Sequence, residues 1–136
     1  MKIYFAGSIR GGRDNKEIYE KIIQELTNYG DVLTEHVGNQ RLDSSGGSKR
    51  ENSIYKRDME WLRSADYVVA EVTNPSLGVG YEIGKVEDEK SILCLYRTQL
   101  SNSLSAMIAG NDNLEVAEYE SVDQVRKILH RYFEDK

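Results

Sequence analysis

Two acidic residues, Glu82 and Asp58, have neighbours that would let them act as a nucleophile and an acid. Glu82 follows the segment 74–81, in which a proline and two glycines come directly after a β-branched run. These residue types indicate a tight turn before the helical spacing that begins at Ile83, so we expect Glu82 just past a strand-to-helix loop. Backbone N–H groups at a helix start can bind an anion and would also keep Glu82 ionised. The loop therefore predicts chemistry on a phosphorylated substrate.

Asp58 interrupts the apolar stripe of a predicted helix. It lies midway between Ile54 and Leu62, four residues from each, so its carboxyl group is expected to point inward. Burial and a nearby second carboxylate such as Glu82 would raise its pKa and keep it protonated as a general acid. Spacing alone equally allows an aspartate that caps a neighbouring helix, or one that forms an ion pair with an arginine such as Arg57 or Arg63. Two carboxyl groups with different pKa values are what cleavage of a glycosidic bond requires.

A second glycine-bearing loop, residues 7–13, follows the first predicted strand. If the strand order is 2-1-3-4-5, the first and third strands are neighbours and both loops open on one crevice. Ser8, Arg10 and Ser76 would then meet one anion, and arginine offers a planar set of donors that suits phosphate. Each loop alone equally allows glycines that only turn the chain, but the pair favours function. Tyr4 could reach the same crevice or pack in the core.

The elements that must position these residues alternate along the chain. Predicted strands cover 2–6, 32–34, 67–72, 92–96 and 114–116, and predicted helices cover 14–29, 52–64, 81–89 and 122–133. This alternation predicts an α/β protein, one domain over residues 1–136 with a doubly wound, flavodoxin-like or Rossmann-like parallel sheet of five strands flanked by helices. The polar segment 38–53 is either an active-site lid or a disordered loop.

Composition narrows the range of partners. The 136 residues carry a net charge of -5 and a pI near 5.1, so nothing attracts the chain to nucleic acid or to an anionic membrane. The single cysteine, Cys94, lies in an apolar strand and predicts a buried thiol in a reducing, cytoplasmic setting. We expect no signal peptide, and no apolar run approaches the ~20 residues of a membrane span. His36 and His130 are too far apart to suggest a metal site, so we expect no cofactor.

The sequence resembles the nucleoside 2-deoxyribosyltransferase superfamily, and more closely its Rcl-like 2'-deoxynucleoside 5'-phosphate N-hydrolase family. The resemblance covers nearly the whole chain and is carried by segments 4–13, 32–37, 69–73, 75–84, 92–95 and 104–108, with Asp58 and residues 61–62. It implies hydrolysis of the N-glycosidic bond of a 2'-deoxynucleoside 5'-monophosphate to free base and 2-deoxyribose 5-phosphate, through a covalent glycosyl-glutamate intermediate.

Carried over residue by residue, the resemblance makes Glu82 the nucleophile, Asp58 the acid and base at the leaving base, and Tyr4 the residue that positions Glu82. Family members are homodimers, so Ser105 is expected to reach the phosphate of the neighbouring subunit. The resemblance implies that the substrate is bound by Gly7, Ser8, Ile9, Arg10, Gly11, Gly12, Arg13, His36, Ser76, Gly78, Ser105, Ala106 and Met107.

Three other functions are compatible with the sequence. A nucleoside 2-deoxyribosyltransferase acts on unphosphorylated nucleosides, whereas the serines and Arg10 of the two loops suit a 5'-phosphate. Ribonucleotide N-hydrolases of the CMP type tend to carry phenylalanine where this chain has Tyr4. A nucleotide-binding sensor without turnover would need Asp58 to turn away from Glu82. The segment 38–53 departs from the family pattern and leaves the preferred base open.

Overall fold

The computed structural model describes residues 1–9, 12–38, 47–98 and 103–134 and, of residues 12–14, 37–38 and 47–49, the backbone alone. Within these ranges, five parallel strands form one sheet: β1 (Lys2–Gly7), β2 (Asp31–Leu33), β3 (Tyr67–Glu71), β4 (Ser91–Arg97) and β5 (Glu115–Tyr119). The helices of the same ranges are α1 (Gly12–Leu26), α2 (Glu35–Gly38), α3 (Gly47–Ser64), α4 (Leu77–Val86), α5 (Ala106–Ala109) and α6 (Val122–Glu134). None of the helices in this described part of the chain is long and apolar enough to cross a membrane.

The strand order is β2-β1-β3-β4-β5, which confirms the predicted doubly wound sheet. β1 pairs in parallel with both β2 and β3, and Gly7 at the end of β1 lies opposite Glu71 at the end of β3. The helices that follow these two strands, α1 and α4, pack in different core clusters on the two faces of the sheet. A crevice therefore opens between the carboxyl ends of β1 and β3, where doubly wound folds bind ligands.

Successive residues of β1 point to opposite faces of the sheet, as in any strand. Ile3 and Phe5 belong to the core cluster that contains α1 and α6, whereas Tyr4 and Ala6 belong to the cluster that contains α3 and α4. The alternation therefore places the tyrosine on the side of the sheet where α3 and α4 carry the predicted catalytic carboxyl groups. Cys94 is fully buried in this second cluster, which confirms the predicted core thiol.

The helix predicted to begin at residue 81 begins at Leu77 instead. Ser76 is its N-cap, with an extended backbone and a side-chain oxygen that accepts a hydrogen bond from Val79 N–H at 3.3 Å. Such a cap satisfies one of the N–H groups that the first turn of a helix leaves without a partner. The serine, and not the later glycines, thus determines where α4 starts.

Gly78 and Gly80 lie inside α4, so the predicted tight turn at these glycines was wrong. Neither glycine needs a left-handed backbone, and a Cβ added at Gly80 would have no atom within 4 Å. Because residues two apart on a helix point to nearly opposite sides, each glycine leaves a different side of α4 without a side chain. Because α4 begins at Leu77, Glu82 lies in the second turn of the helix and not at its start.

Among the other boundaries that differ from the prediction, those of α3 and β5 differ at one end by three residues or more. Helix α3 begins at Gly47, inside the segment 38–53 that was predicted to be a lid or a disordered loop, and residues 39–46 lie outside the described residues. Strand β5 runs over Glu115–Tyr119 and not over 114–116, because its pairing with β4 continues through Tyr119 opposite Arg97. Neither change alters the side of the sheet on which the crevice lies.

Candidate active site

A cavity of about 710 Å³ opens at the carboxyl ends of β1 and β3. The loop after β1, the start of α2, the inner face of α3 and the first two turns of α4 all contribute to its wall. Both predicted catalytic carboxyl groups and residues of both glycine-bearing loops therefore face one space. Its lining includes Ser8, Glu35, Asp58, Ser76, Gly78 and Glu82.

Glu82, which lines the cavity, is hydrogen-bonded to Tyr4. The Tyr4 hydroxyl donates a hydrogen bond to Glu82 Oε2, and the tyrosine is almost completely buried, with 1% of its surface exposed. Burial is the main reason that the pKa of Tyr4 lies far above its usual range, and the negative charge of Glu82 adds to the effect. The hydroxyl thus keeps its proton and remains a donor to one oxygen of the carboxylate.

The predicted ionisation of Glu82 was wrong in its cause and in its extent. Because Glu82 lies in the second turn of α4, it is beyond the first-turn N–H groups on which that prediction relied. Burial raises the pKa of Glu82 to about 7, the charge of Asp58 raises it further, and the hydrogen bond from Tyr4 opposes both. Glu82 therefore keeps its proton to a higher pH than an exposed glutamate does.

Asp58 points into the cavity and is also held by an arginine, so both alternatives left by the sequence occur together. Only 7% of its surface is exposed. Its Oδ1 accepts hydrogen bonds from Arg57 Nε at 3.1 Å and from Arg57 Nη2 at 3.0 Å. Its charge is one cause of the raised pKa of Glu82, so the two carboxyl groups are close enough to interact. Asp58 does not turn away from Glu82.

Glu35, a third carboxyl group of the cavity, was missed by the sequence reasoning. It lies two residues after the end of β2, at the first position of α2, and its carboxyl group interacts with that of Asp58. Burial raises the pKa of Glu35 well above its usual range, and the hydrogen bond and charge of Asp58 raise it further. Arg57 Nη2 lies 3.7 Å from Glu35 Oε2 and partly offsets these effects. The available signal was its position, at the carboxyl end of the strand next to β1.

The two loops predicted to bind an anion meet across the mouth of the cavity. Gly7, Ser8 and Ile9 line it from the β1 side, and Ser76 and Gly78 line it from the α4 side. Helix α4 begins at this mouth, so the N–H groups of its first turn are near it. Of the other predicted loop residues, Arg10 and Gly11 lie outside the described residues, and Gly12 and Arg13 form the first two positions of α1.

His36 lies behind the loop and is not one of the cavity-lining residues that the structure describes. Its Nε2 is 3.0 Å from the carbonyl oxygen of Gly7, and because a carbonyl can only accept, Nε2 carries the donated proton. The ring packs edge-on against Phe5 and Tyr19. Burial lowers the pKa of His36, which favours this neutral form. The imidazole therefore supports the β1 loop.

Ser105, Ala106 and Met107 lie elsewhere, at the start of α5. Ser105 and Met107 line a second cavity of about 430 Å³ on the other side of α4, together with Ser76 and Leu77. Met107 and Leu77 are 81% and 96% exposed. Within one chain, the structure does not bring Ser105 into the cavity that holds Asp58 and Glu82.

Known proteins similar to this chain match nearly its whole length. A model of the family described as nucleoside 2-deoxyribosyltransferase matches residues 3–127. The chain is 46% identical over 142 residues to the 5-hydroxymethyl-dUMP N-hydrolase of Tetraodon nigroviridis, a match that covers 100% of this chain and 99% of the relative. It is 49% identical over 138 residues to the protein of the same name from Mus musculus, covering 97% of this chain and 79% of that relative.

A solved structure supports the fold independently. The 2-deoxyribosyltransferase from Bacillus psychrosaccharolyticus aligns with a TM-score of 0.72 over 93% of this chain and 90% of the other, at 18% sequence identity. At that identity the likeness concerns the fold alone. The family model, by contrast, spans β1 to α6 and so includes both loops and both predicted catalytic carboxyl groups. The resemblance detected in the sequence is therefore confirmed, and the chain belongs to the nucleoside 2-deoxyribosyltransferase family.

Proposed function

We propose that this chain hydrolyses the N-glycosidic bond of 2'-deoxynucleoside 5'-monophosphates, releasing the free base and 2-deoxyribose 5-phosphate. The observation that carries the proposal is that Glu82, bound by Tyr4, and Asp58 face one cavity at the switch point of the sheet. Relatives at 46% and 49% identity are named 5-hydroxymethyl-dUMP N-hydrolases, which supports the same reaction class. Hydrolysis of this bond needs one group to attack the anomeric carbon and another to protonate the base.

In the first step, ionised Glu82 attacks the anomeric carbon while the bond to the base breaks and the base receives a proton from the side of Asp58. Tyr4 occupies Oε2, which leaves Oε1 to form the bond to the sugar. In the second step, water attacks the same carbon, the bond to Glu82 breaks, and the proton of the water returns to the acid. With a pKa of about 7, Glu82 is ionised in enough of the enzyme at neutral pH to react.

The phosphate would be bound at the mouth of the cavity. Ser8 and Ser76 offer hydroxyl groups, and the backbone at Gly78 lies in the first turn of α4, where N–H groups are available to an anion. We assign Arg10 and the rest of the loop 7–13 to the same anion, since charge-assisted hydrogen bonds to phosphate are strong. This arrangement favours a nucleotide over the unphosphorylated nucleoside that a deoxyribosyltransferase uses.

We also propose that the enzyme is a homodimer in which Ser105 reaches the phosphate of the neighbouring subunit. The almost fully exposed Leu77 and Met107 border the second cavity, and exposed apolar side chains of this size are common where proteins associate. The surface that they form lies next to the phosphate-binding residue Ser76, so a partner there would be near the site. A free, buried Cys94 suits a reducing compartment, and we place the reaction in the cytoplasm.

A panel of substrates tests the proposal. Purified protein is incubated with deoxynucleoside monophosphates, ribonucleoside monophosphates and deoxynucleosides, and free base is separated by chromatography. We expect base release from deoxynucleoside monophosphates that is abolished by Glu82→Gln and kept by Glu118→Gln, an exposed glutamate on β5. No base release from any monophosphate, or undiminished release by Glu82→Gln, would refute the proposal. Addition of a free acceptor base would reveal a transferase by the appearance of a new nucleoside.

A further inference from the structure

The acidic groups of the cavity are not independent of one another. The carboxyl groups of Glu35 and Asp58 both lie against the guanidinium of Arg57, 3.7 Å and 3.0 Å from its Nη2, and 16% and 10% of their side chains are exposed. Two carboxyl groups that meet at one guanidinium can hydrogen-bond to each other only if one of them carries a proton, because an ionised carboxylate can only accept. With so little solvent contact, water competes poorly for the bond. This geometry suits a pair of carboxyl groups that shares one proton.

Arg57 holds this pair together in an unusual way. Neighbouring residues of a helix do not face each other, so Arg57 can contact Asp58 only by folding its side chain back. Its guanidinium carbon lies 4.6 Å from the ring centroid of Trp61, one turn further along α3, which supports the folded conformation. In that position the guanidinium binds Asp58 Oδ1 through two donors and lies 3.7 Å from Glu35 Oε2.

We propose that Glu35 and Asp58 act as a dyad that shares one proton, and that Arg57 holds the two carboxyl groups together. This dyad, and not Asp58 alone, is the acid that protonates the leaving base. Glu35 acts through Asp58 and is in this sense a positioning residue. The inference deepens the proposed N-glycosidase function and depends on it. Two carboxyl groups that share a proton lose their protons in two steps that belong to the pair, so the pair can hold a proton where a single carboxyl group would not.

The proton of the dyad is accounted for through both steps. When the bond between the anomeric carbon and the base nitrogen breaks and the bond to Glu82 forms, the shared proton passes through Asp58 to the base, and the dyad becomes fully ionised. When water attacks and the bond to Glu82 breaks, the proton of the water returns to the dyad. Arg57 offsets part of the additional negative charge during the interval between the steps.

Several other groups influence the titration of the dyad and must be considered in any pH profile. Glu82 faces it from α4, Tyr4 from β1 and His36 from α2, and each interacts electrostatically with Asp58. Glu51 lines the same cavity from α3 but is exposed. Arg57, in contrast, lowers the pKa of Glu35 and so favours loss of its proton. Removal of Arg57 and removal of Glu35 should therefore have opposite effects on the pH at which the acid stops working.

The first test compares two leaving groups in the Glu35→Gln variant. One substrate is the best unmodified deoxynucleotide of the panel, whose base must be protonated; the other is 7-methyl-dGMP, whose base is already cationic and leaves as a neutral molecule. General acid catalysis contributes about 10²–10⁴-fold, so we expect kcat on the unmodified substrate to fall by roughly tenfold to a hundredfold with KM little changed. Activity on 7-methyl-dGMP should stay within about twofold of the wild type.

The second test follows kcat/KM against pH for the unmodified substrate. In Glu35→Gln the basic limb should move to lower pH, because an amide cannot take part in holding the proton that the two carboxyl groups share. In Arg57→Gln the same limb should move to higher pH, because the dyad keeps its proton longer. Arg131→Gln, an exposed arginine on α6, is the matched control and should keep the wild-type profile.

The outcomes separate this inference from the proposed function. If the wild type releases no base from either substrate, the proposed function fails. If the wild type is active but Glu35→Gln loses activity equally on both substrates, raises KM with kcat unchanged, or keeps full activity, the dyad is refuted. If Arg57→Gln leaves the pH profile unchanged, or moves its basic limb in the same direction as Glu35→Gln does, the role of Arg57 in holding the dyad is refuted. The profile of either variant can be measured even if the other folds poorly.

Discussion

Tyr4→Phe should change the pH at which the enzyme becomes active more than it changes the maximal rate. The mutation deletes one oxygen from a buried side chain and removes the hydrogen bond that Glu82 Oε2 accepts. A hydrogen bond to a charged group contributes about 1.5–3 kcal/mol, and about 1.4 kcal/mol corresponds to one pKa unit. Since this bond lowers the pKa of Glu82 from what burial alone would produce, its loss should raise that pKa from about 7 to between about 8 and 9.

The assay is the initial rate of base release from a deoxynucleoside monophosphate, measured as kcat/KM across the pH range. The acidic limb should move to higher pH, and near neutral pH the rate should fall by about fivefold to fiftyfold, the ratio of ionised Glu82 in the two proteins. Tyr29→Phe, a tyrosine that stacks on Phe133 far from the cavity, is the control and should leave the profile unchanged. An unshifted limb in Tyr4→Phe, or a loss of equal size at every pH, would refute the reasoning.

Three further predictions concern stability, phosphate binding and association. Glu82 has a pKa that folding raises from 4.5 to about 7, so its contribution to stability is complete below the unfolded value and is lost as the pH rises through about 7. Glu82→Gln should therefore raise the thermal midpoint relative to the wild type near pH 9 and not near pH 4, as measured by calorimetry. Arg10→Ala should weaken binding of a deoxynucleoside monophosphate far more than binding of the nucleoside, as measured by titration calorimetry, and equal losses would show that Arg10 does not contact the phosphate. Leu77→Asp combined with Met107→Asp should shift sedimentation from dimer to monomer, whereas a wild type that is already monomeric would remove the dimer.

The strand order and the face on which the site lies could be predicted because they follow from local patterns. An alternation of short apolar strands with amphipathic helices allows few topologies, and the order observed is the one whose switch point brings the loops after β1 and β3 together. The period of a strand then places Tyr4 on the face opposite Ile3. The period of a helix likewise places Asp58 on the buried stripe of α3.

Protonation could not be predicted in the same way, because it depends on burial and on contacts between distant elements. Glu82 was expected to be ionised by a helix start, but Ser76 begins the helix one turn earlier and burial dominates. Glu35 follows a strand of only three residues and lies on a helix of four, so no periodicity identifies it. Its importance appears only when α2 and α3 pack and bring it to Asp58 and Arg57.

The most direct test of the central claim, that Glu82 forms a bond to the sugar, is the stereochemistry of the product when methanol competes with water. The enzyme is incubated with a deoxynucleoside monophosphate in buffer containing methanol, and the methyl 2-deoxyriboside 5-phosphate that forms is examined by NMR. Two successive displacements, first by Glu82 and then by methanol, predict the β-anomer, with the configuration of the substrate retained. Formation of the α-anomer would mean that the solvent attacks the substrate directly and would contradict the role assigned to Glu82.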